Sequence, residues 1–310
     1  MDKRTRLYVE LQDASKAERE ADIGAHRVQS IGIKSALARL QKNKSAKMPK
    51  VPLDFLAIGD SWFEYPLDGN GPSWVGNTAI VAQTQLGSMG NLPPSILNLA
   101  LHGQATTAML SFENQQQIIS VLQDPGQWLN EQTGLPDGIL VSAGGDDLVG
   151  DQFAIYLDYG AGGLDVQRFK GVLDSVEASY KDLFALRDIF APNVPIVAHC
   201  YDYAIPNGVH PICFARGWLK PSLDFAGYDY ATGLGIVKDM IDLFYKRLTD
   251  LANDAKNKFT VIDTRNTLTR DATHPDGWAN EIHPYFTGFT SLAQTFLAGL
   301  QSMTVFKGKI

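Results

Sequence analysis

Five short apolar runs, separated by stretches of helical periodicity, constrain this chain more than any other feature. The runs are Leu53–Gly59, Ser95–Ala100, Gly138–Ala143, Val194–Cys200 and Phe259–Asp263. Near-continuous apolar runs of strand length read as strands buried on both faces of a sheet. Between them, Trp74–Leu86, Gln104–Leu122, Val166–Phe190 and Ile236–Asn257 carry apolar residues at i, i+3 and i+4. A final helix is predicted over Thr287–Met303. Strands alternating with helices of this length predict the α/β class: a three-layer α/β/α sandwich around a flavodoxin-like parallel sheet of about five strands. Ligands bind such sheets beyond the carboxyl ends of the strands. The residues directly after each run are therefore where a site is expected.

The N-terminal segment stands apart. Residues 7–43 read as helix, with Leu7, Val9, Leu11, Ile31, Ile33, Leu37 and Leu40 at loose helical spacing. Gly24 and Gly32 weaken its middle, so one helix or two are open. A basic linker with Pro49 and Pro52 follows. The expected division is a basic helical arm and linker over 1–50 and the sheet-bearing domain over 51–310. Residues 1–50 hold 12 Lys and Arg against 6 Asp and Glu, whereas residues 51–310 hold 15 against 28. The basic arm is expected to dock as an amphipathic helix on the acidic domain; contact with a partner or anionic surface is the sharper reading. On either reading, deleting residues 1–45 is expected to leave a folded domain. Aromatic residues do not interleave with the basic ones beyond Tyr8, so nucleic acid is not an expected partner.

A hydrophobic share of 45% and a charged share of 20% suit a globular chain with a sizeable core. No run approaches the roughly 18 apolar residues of a membrane span. Met1–Arg6 leads into no apolar signal region, so a cytoplasmic location is expected, with export by a specialised route left open. Cys200 and Cys213 are expected as free, buried thiols.

Three segments carry chemistry. Gly59-Asp60-Ser61-Trp62 follows the first run, Ala143-Gly144-Gly145-Asp146-Asp147 follows the third, and Asn280-Glu281-Ile282-His283-Pro284 precedes the last helix. A Ser at a strand-to-loop junction, a Gly-rich turn and a late His are the parts acyl transfer needs. The Ser attacks, the His takes its proton, and turn donors hold the oxyanion. The first segment resembles the GDSL motif of the SGNH hydrolase family, whose members are lipases and esterases. Asn98-Leu99-Ala100-Leu101-His102-Gly103, Gly144-Gly145-Asp146-Asp147 and Asn280-Glu281-Ile282-His283-Pro284 are similar to three further blocks of that family, in the same order.

The resemblance implies Ser61 as nucleophile and His283 as general base, then general acid for the leaving alcohol. It implies an oxyanion hole from the backbone N–H groups of Ser61 and Gly103, and no metal or organic cofactor. Two positions depart from the family. Asp146 stands where the family has the Asn that donates to the oxyanion, and Asn280 stands where it has the Asp that orients the His. An ionised carboxylate only accepts hydrogen bonds, so Asp146 donates only when protonated. Asn280 is uncharged, but its side-chain oxygen accepts from an imidazole Nδ1–H. Asp271, Asp276 or a backbone carbonyl is the alternative orienter.

Tyr201–Thr232 reads as a long aromatic and Pro-rich loop on the rim of the site. Trp62, Tyr203 and Trp218 are the expected substrate-pocket residues. Phe63 and Tyr65 line the pocket or pack beneath it, and His102 beside Gly103 is a further pocket candidate. Asp60 and Asp147 are read as bonding turn backbone, and Glu281 as solvated. His274, Asp276, Glu281 and His283 match no compact zinc spacing. The expected function is hydrolysis of a carboxylic ester through an acyl-Ser61 intermediate, on a small or lipid-like substrate. A thioesterase, a carbohydrate deacetylase and a weakly active binding protein on a hydrolase fold are the alternatives. The oligomeric state is not legible in the sequence.

Overall fold

The apolar runs form five strands in a computed structural model, which describes residues 3–42, 49–65, 80–87, 93–160, 162–211, 214–271 and 277–307. The strands are β1 (Asp54–Gly59), β2 (Ser95–Asn98), β3 (Gly138–Ser142), β4 (Ile196–His199) and β5 (Phe259–Ile262). All pair in parallel, in the order β2-β1-β3-β4-β5. Every residue of β1 and β3 is buried, which is why these runs lack polar alternation. The order reverses direction at β1, and the crevice past the ends of β1 and β3 is the expected ligand position in such a sheet.

Among the described residues the helices are α1 (Lys3–Lys42), α2 (Ile80–Gly87), α3 (Thr106–Met109), α4 (Phe112–Gln123), α5 (Gly145–Leu148), α6 (Val166–Phe190), α7 (Lys220–Ala226), α8 (Tyr230–Ala252) and α9 (Phe286–Ser302). α2 packs on α9, while α6 packs on α4 and α8. Two groups of helices covering a parallel sheet of this order form the three-layer sandwich.

One open point closes and three expectations change. The N-terminal segment is one helix despite Gly24 and Gly32. The single helix expected over Gln104–Leu122 is broken into α3 and α4. The 201–232 stretch is not all loop. Pro221 lies in the first turn of α7, where its missing N–H costs nothing, and Gly227 closes that helix at φ 86°. α8 begins at Tyr230, not Ile236, because Asp229 caps it by accepting from the Thr232 N–H at 2.8 Å. Residues 74–79, at the start of the helix expected to follow β1, lie outside the described residues, as do Asp276, His274 and Cys213. Cys200 is a free, buried thiol.

Candidate active site

β1 delivers its side chains through a sharp exit. Gly59 pairs with Ser142 and has φ 152°, and a Cβ there would stand 2.3 Å from the Ser142 carbonyl oxygen. Only Gly lets the two strand ends approach this closely. The chain then turns, and Ser61 lies at the carboxyl edge of the sheet. The His283 Nε2 lies 2.7 Å from the Ser61 Oγ, across 222 residues of sequence.

Asn280 sets the other side of the imidazole. Its Oδ1 accepts from the backbone N–H groups of Ile282 at 3.1 Å and His283 at 2.8 Å, forming an Asx turn. The same oxygen lies 3.1 Å from the His283 Nδ1. Two fixed N–H donors fix the amide orientation, so the proton belongs on Nδ1 and the Nε2 lone pair faces Ser61. The Asn280 Nδ2 donates to the Tyr65 Oη at 3.1 Å, and the Tyr65 ring lies 4.2 Å from the imidazole, centroid to centroid. Burial, reinforced by the nearby His102, lowers the His283 pKa to about 3. The imidazole is therefore a neutral acceptor at ordinary pH.

Gly103 follows β2 with φ 73°. Among the described residues no protein acceptor takes the backbone N–H of Ser61 or Gly103. Asp147 holds the Gly103 loop in place. Its carboxylate accepts from the Thr106 N–H at 2.8 Å and the Thr106 hydroxyl at 2.9 Å. Ser61, Gly103 and Asp146 line one cavity of about 230 Å³ with His283, Trp218, Phe214, Val149, Ile282 and Leu11. The Oδ2 of Asp146 is sealed from solvent and has no hydrogen-bond partner among the described residues. Burial first, then the charges of Asp60 and Asp147, push the Asp146 carboxyl well above the usual carboxylate range.

Beneath Ser61 lies a second network. The Tyr201 N–H donates to the His199 Nδ1 at 3.1 Å, so the His199 Nε2–H donates to the Ser142 hydroxyl at 2.9 Å. Ser142 donates to the Asp60 Oδ1 at 2.6 Å, the Trp62 N–H donates to the same oxygen at 3.0 Å, and the Tyr201 hydroxyl donates to the Asp60 Oδ2. Burial raises Asp60 to about 6 against these donors and lowers His199 to about 3. Asp60 thus ties β1, β3 and β4 together under the nucleophile.

Of the expected pocket residues, Trp218 lines the cavity beside His283. Trp62 lines only a smaller recess of about 40 Å³ behind Ser61, its Nε1 donating to the Ile282 carbonyl at 3.0 Å. Tyr203 lines neither cavity; its hydroxyl turns away to Asp242 at 2.6 Å. Glu281 is fully buried, contrary to the solvated reading. It accepts from the N–H groups of Gly208 (2.9 Å), Leu219 (2.7 Å) and Lys220 (2.8 Å), fastening the rim segment to the His283 turn. The contacts of Tyr65, Tyr201 and Glu281 had no sequence signal, because their partners lie far along the chain. Among the described residues no group of three or more His, Cys, Asp and Glu side chains is placed to hold a metal ion. Likewise no helix is long and apolar enough to cross a membrane.

No protein-family model matches the chain, and no curated protein matches its sequence. Solved structures share its layout. The extracellular lipase of Streptomyces rimosus is 18% identical with a TM-score of 0.45, over 80% of this chain and 98% of its own. A lipase from a goat rumen metagenome is 17% identical with a TM-score of 0.48, over 79% and 96%. A protein from Slackia heliotrinireducens described as an SGNH hydrolase is 11% identical with a TM-score of 0.45, over 80% and 98%. In strand order and in the sequence of its four segments, the chain resembles the SGNH hydrolases.

Proposed function

We propose that the protein is a serine hydrolase of the SGNH type that cleaves carboxylic esters. One observation carries the reading: a buried neutral imidazole accepts at Nε2 from the Ser61 hydroxyl while Asn280 holds its Nδ1–H. Ser61 Oγ attacks the ester carbonyl carbon and its proton passes to the His283 Nε2. The carbonyl electron pair moves onto oxygen, where the N–H groups of Ser61 and Gly103 receive it. Collapse expels the alcohol, which takes the proton back from His283. Water then repeats the sequence on the acyl-Ser61 ester and releases the acid. Asn280 performs the orienting role without charge, since its Oδ1 can only accept. That wiring favours an enzyme over an inactive binding protein on the same fold.

The cavity is small and its wall is largely apolar, from Leu11, Ala105, Val149, Phe214, Trp218 and Ile282. Short acyl groups fit this better than sugars do. The test is labelling by a fluorophosphonate probe together with turnover of p-nitrophenyl esters of graded chain length. Wild type is expected to take the label and to prefer short acyl chains. Ser61→Ala is expected to lose both label and turnover without a change in melting temperature. Retained turnover in Ser61→Ala would overturn the assignment.

A further inference from the structure

The cavity that Ser61 lines has an acid where an oxyanion needs a donor. Asp146 follows the carboxyl end of β3 and lines the same cavity as Gly103. An ionised carboxylate there would repel the negative oxygen that attack creates. The surroundings argue against that form. The sealed Oδ2 accepts no hydrogen bond among the described residues. No Lys or Arg lines either cavity that Asp146 faces, again among the described residues. The titratable groups around it are Asp60 after β1, Asp147 beside it, Tyr201 and Asp202 after β4, His102 after β2 and His283 in the C-terminal turn. Asp202 accepts from the N–H groups of Tyr203, Asn266 and Leu268. Asp147 accepts two hydrogen bonds from Thr106, and Asp60 accepts from Ser142, Trp62 and Tyr201. Of these carboxyls, Asp146 is the one without a hydrogen-bond donor among the described residues, and so the natural holder of a proton.

We propose that Asp146 is a neutral carboxylic acid that donates the third hydrogen bond to the oxyanion. A carboxylic acid kept neutral in a largely apolar cavity is an established means of supplying a donor. Carboxyl groups rotate about χ2 between nearly equivalent positions, so either oxygen can present the proton to the cavity. The proton stays on Asp146 throughout; proton transfer belongs to His283. The donor role rests on the ester-hydrolase reading, whereas the protonation state does not.

Two measurements separate them. The first is stability against pH for wild type and Asp146→Asn. A carboxyl whose folded pKa is raised above its unfolded value costs stability as pH rises from about 3.8 towards the folded pKa. Asn carries no such cost, so the melting-temperature advantage of Asp146→Asn is expected to widen between about pH 5 and pH 8. A constant difference would mean that Asp146 is ionised at little cost, overturning the proposal. The second is kcat/KM against pH. Asp146→Asn keeps a donor, and is expected within about tenfold of wild type near neutrality and without the alkaline fall that Asp146 ionisation produces. Asp146→Ala keeps none, and is expected to lose about 10²–10³-fold. An active wild type with Asp146→Ala within about threefold of it would overturn the donor role alone. A wild type that takes no fluorophosphonate label and turns over no ester would overturn the function and the donor role together.

Discussion

A single oxygen, Asn280 Oδ1, decides whether His283 can act as a base. It takes two backbone N–H groups and the imidazole Nδ1–H. A flip of the amide would aim its NH₂ at those donors, so the tautomer is fixed by local turn geometry and not by charge. The low pKa of about 3 has a kinetic consequence. A general base must be unprotonated, so the acid limb of kcat/KM is expected well below the ordinary imidazole value of about 6.5. Asn280→Asp places a carboxylate against the ring and favours imidazolium. His283 then titrates at higher pH, and the acid limb moves up with it. Near neutrality the variant is expected to match or modestly exceed wild type. A loss beyond about tenfold there, roughly 1.4 kcal/mol, would show that the site requires a neutral partner.

At the scale of elements, α1 is more than an appendage. Its buried residues are Ser15, His26 and Ser30, while Leu7, Val9, Val28, Ile31 and Leu40 are exposed. The helix therefore docks largely through polar groups, with Ile23 packed on the core and Leu11 on the cavity as its apolar contacts. Gln12 donates to the His102 carbonyl at 3.3 Å, Ser15 donates to Glu64 at 3.3 Å, and Arg19 donates to the Leu99 carbonyl at 3.2 Å. Further along, the Gln127 side chain donates to the His26 Nδ1 at 2.9 Å, leaving the His26 Nε2–H to donate to the buried Asp54 at 2.9 Å. Leu11 reaches the cavity wall. His26→Ala leaves an Asp54 oxygen short of a donor and is expected to cost about 1–3 kcal/mol in urea melts. Deleting residues 1–42 is expected to cost more and to weaken the preference for short acyl chains. A truncated chain with the wild-type urea midpoint would show that α1 adds nothing to the stability of the fold.

For the whole molecule, the charge split between arm and body invites an electrostatic account of docking. The structure gives a different one. Among the described residues, Arg27–Asp124 at 2.7 Å is the one Arg or Lys ion pair linking α1 to the body, and Arg27 is about half exposed. Exposed pairs contribute about 0–1 kcal/mol, and long-range attraction is screened over about 8 Å at physiological salt. Raising salt is therefore expected to leave α1 docked, with unchanged protease cleavage across residues 3–42. Salt-induced cleavage within α1 would restore the electrostatic account.

The sheet was legible because a strand buried on both faces must be apolar along its length, and β1 and β3 are. Ser61, Gly103 and His283 were candidates because their segments resemble the SGNH blocks, and Ser61 and Gly103 also because they follow a strand, where such folds place a site. The sequence by itself thus determined the fold class, the alternation of strands with helices and the candidate reacting pair. It did not determine what stands beside them. Tyr65 meets Asn280 across 215 residues, Tyr201 meets Asp60 across 141, and α1 reaches His102 across 87. Hydrogen bonds between distant segments leave no periodic trace in a chain, since any polar residue fits the local pattern. Whether Tyr203 or Leu11 faces the cavity, whether Glu281 meets water or three N–H groups, and whether Asp146 finds a partner were decided only by how the segments pack. Periodicity reports burial along one element, whereas the chemistry of a site is set by which elements meet.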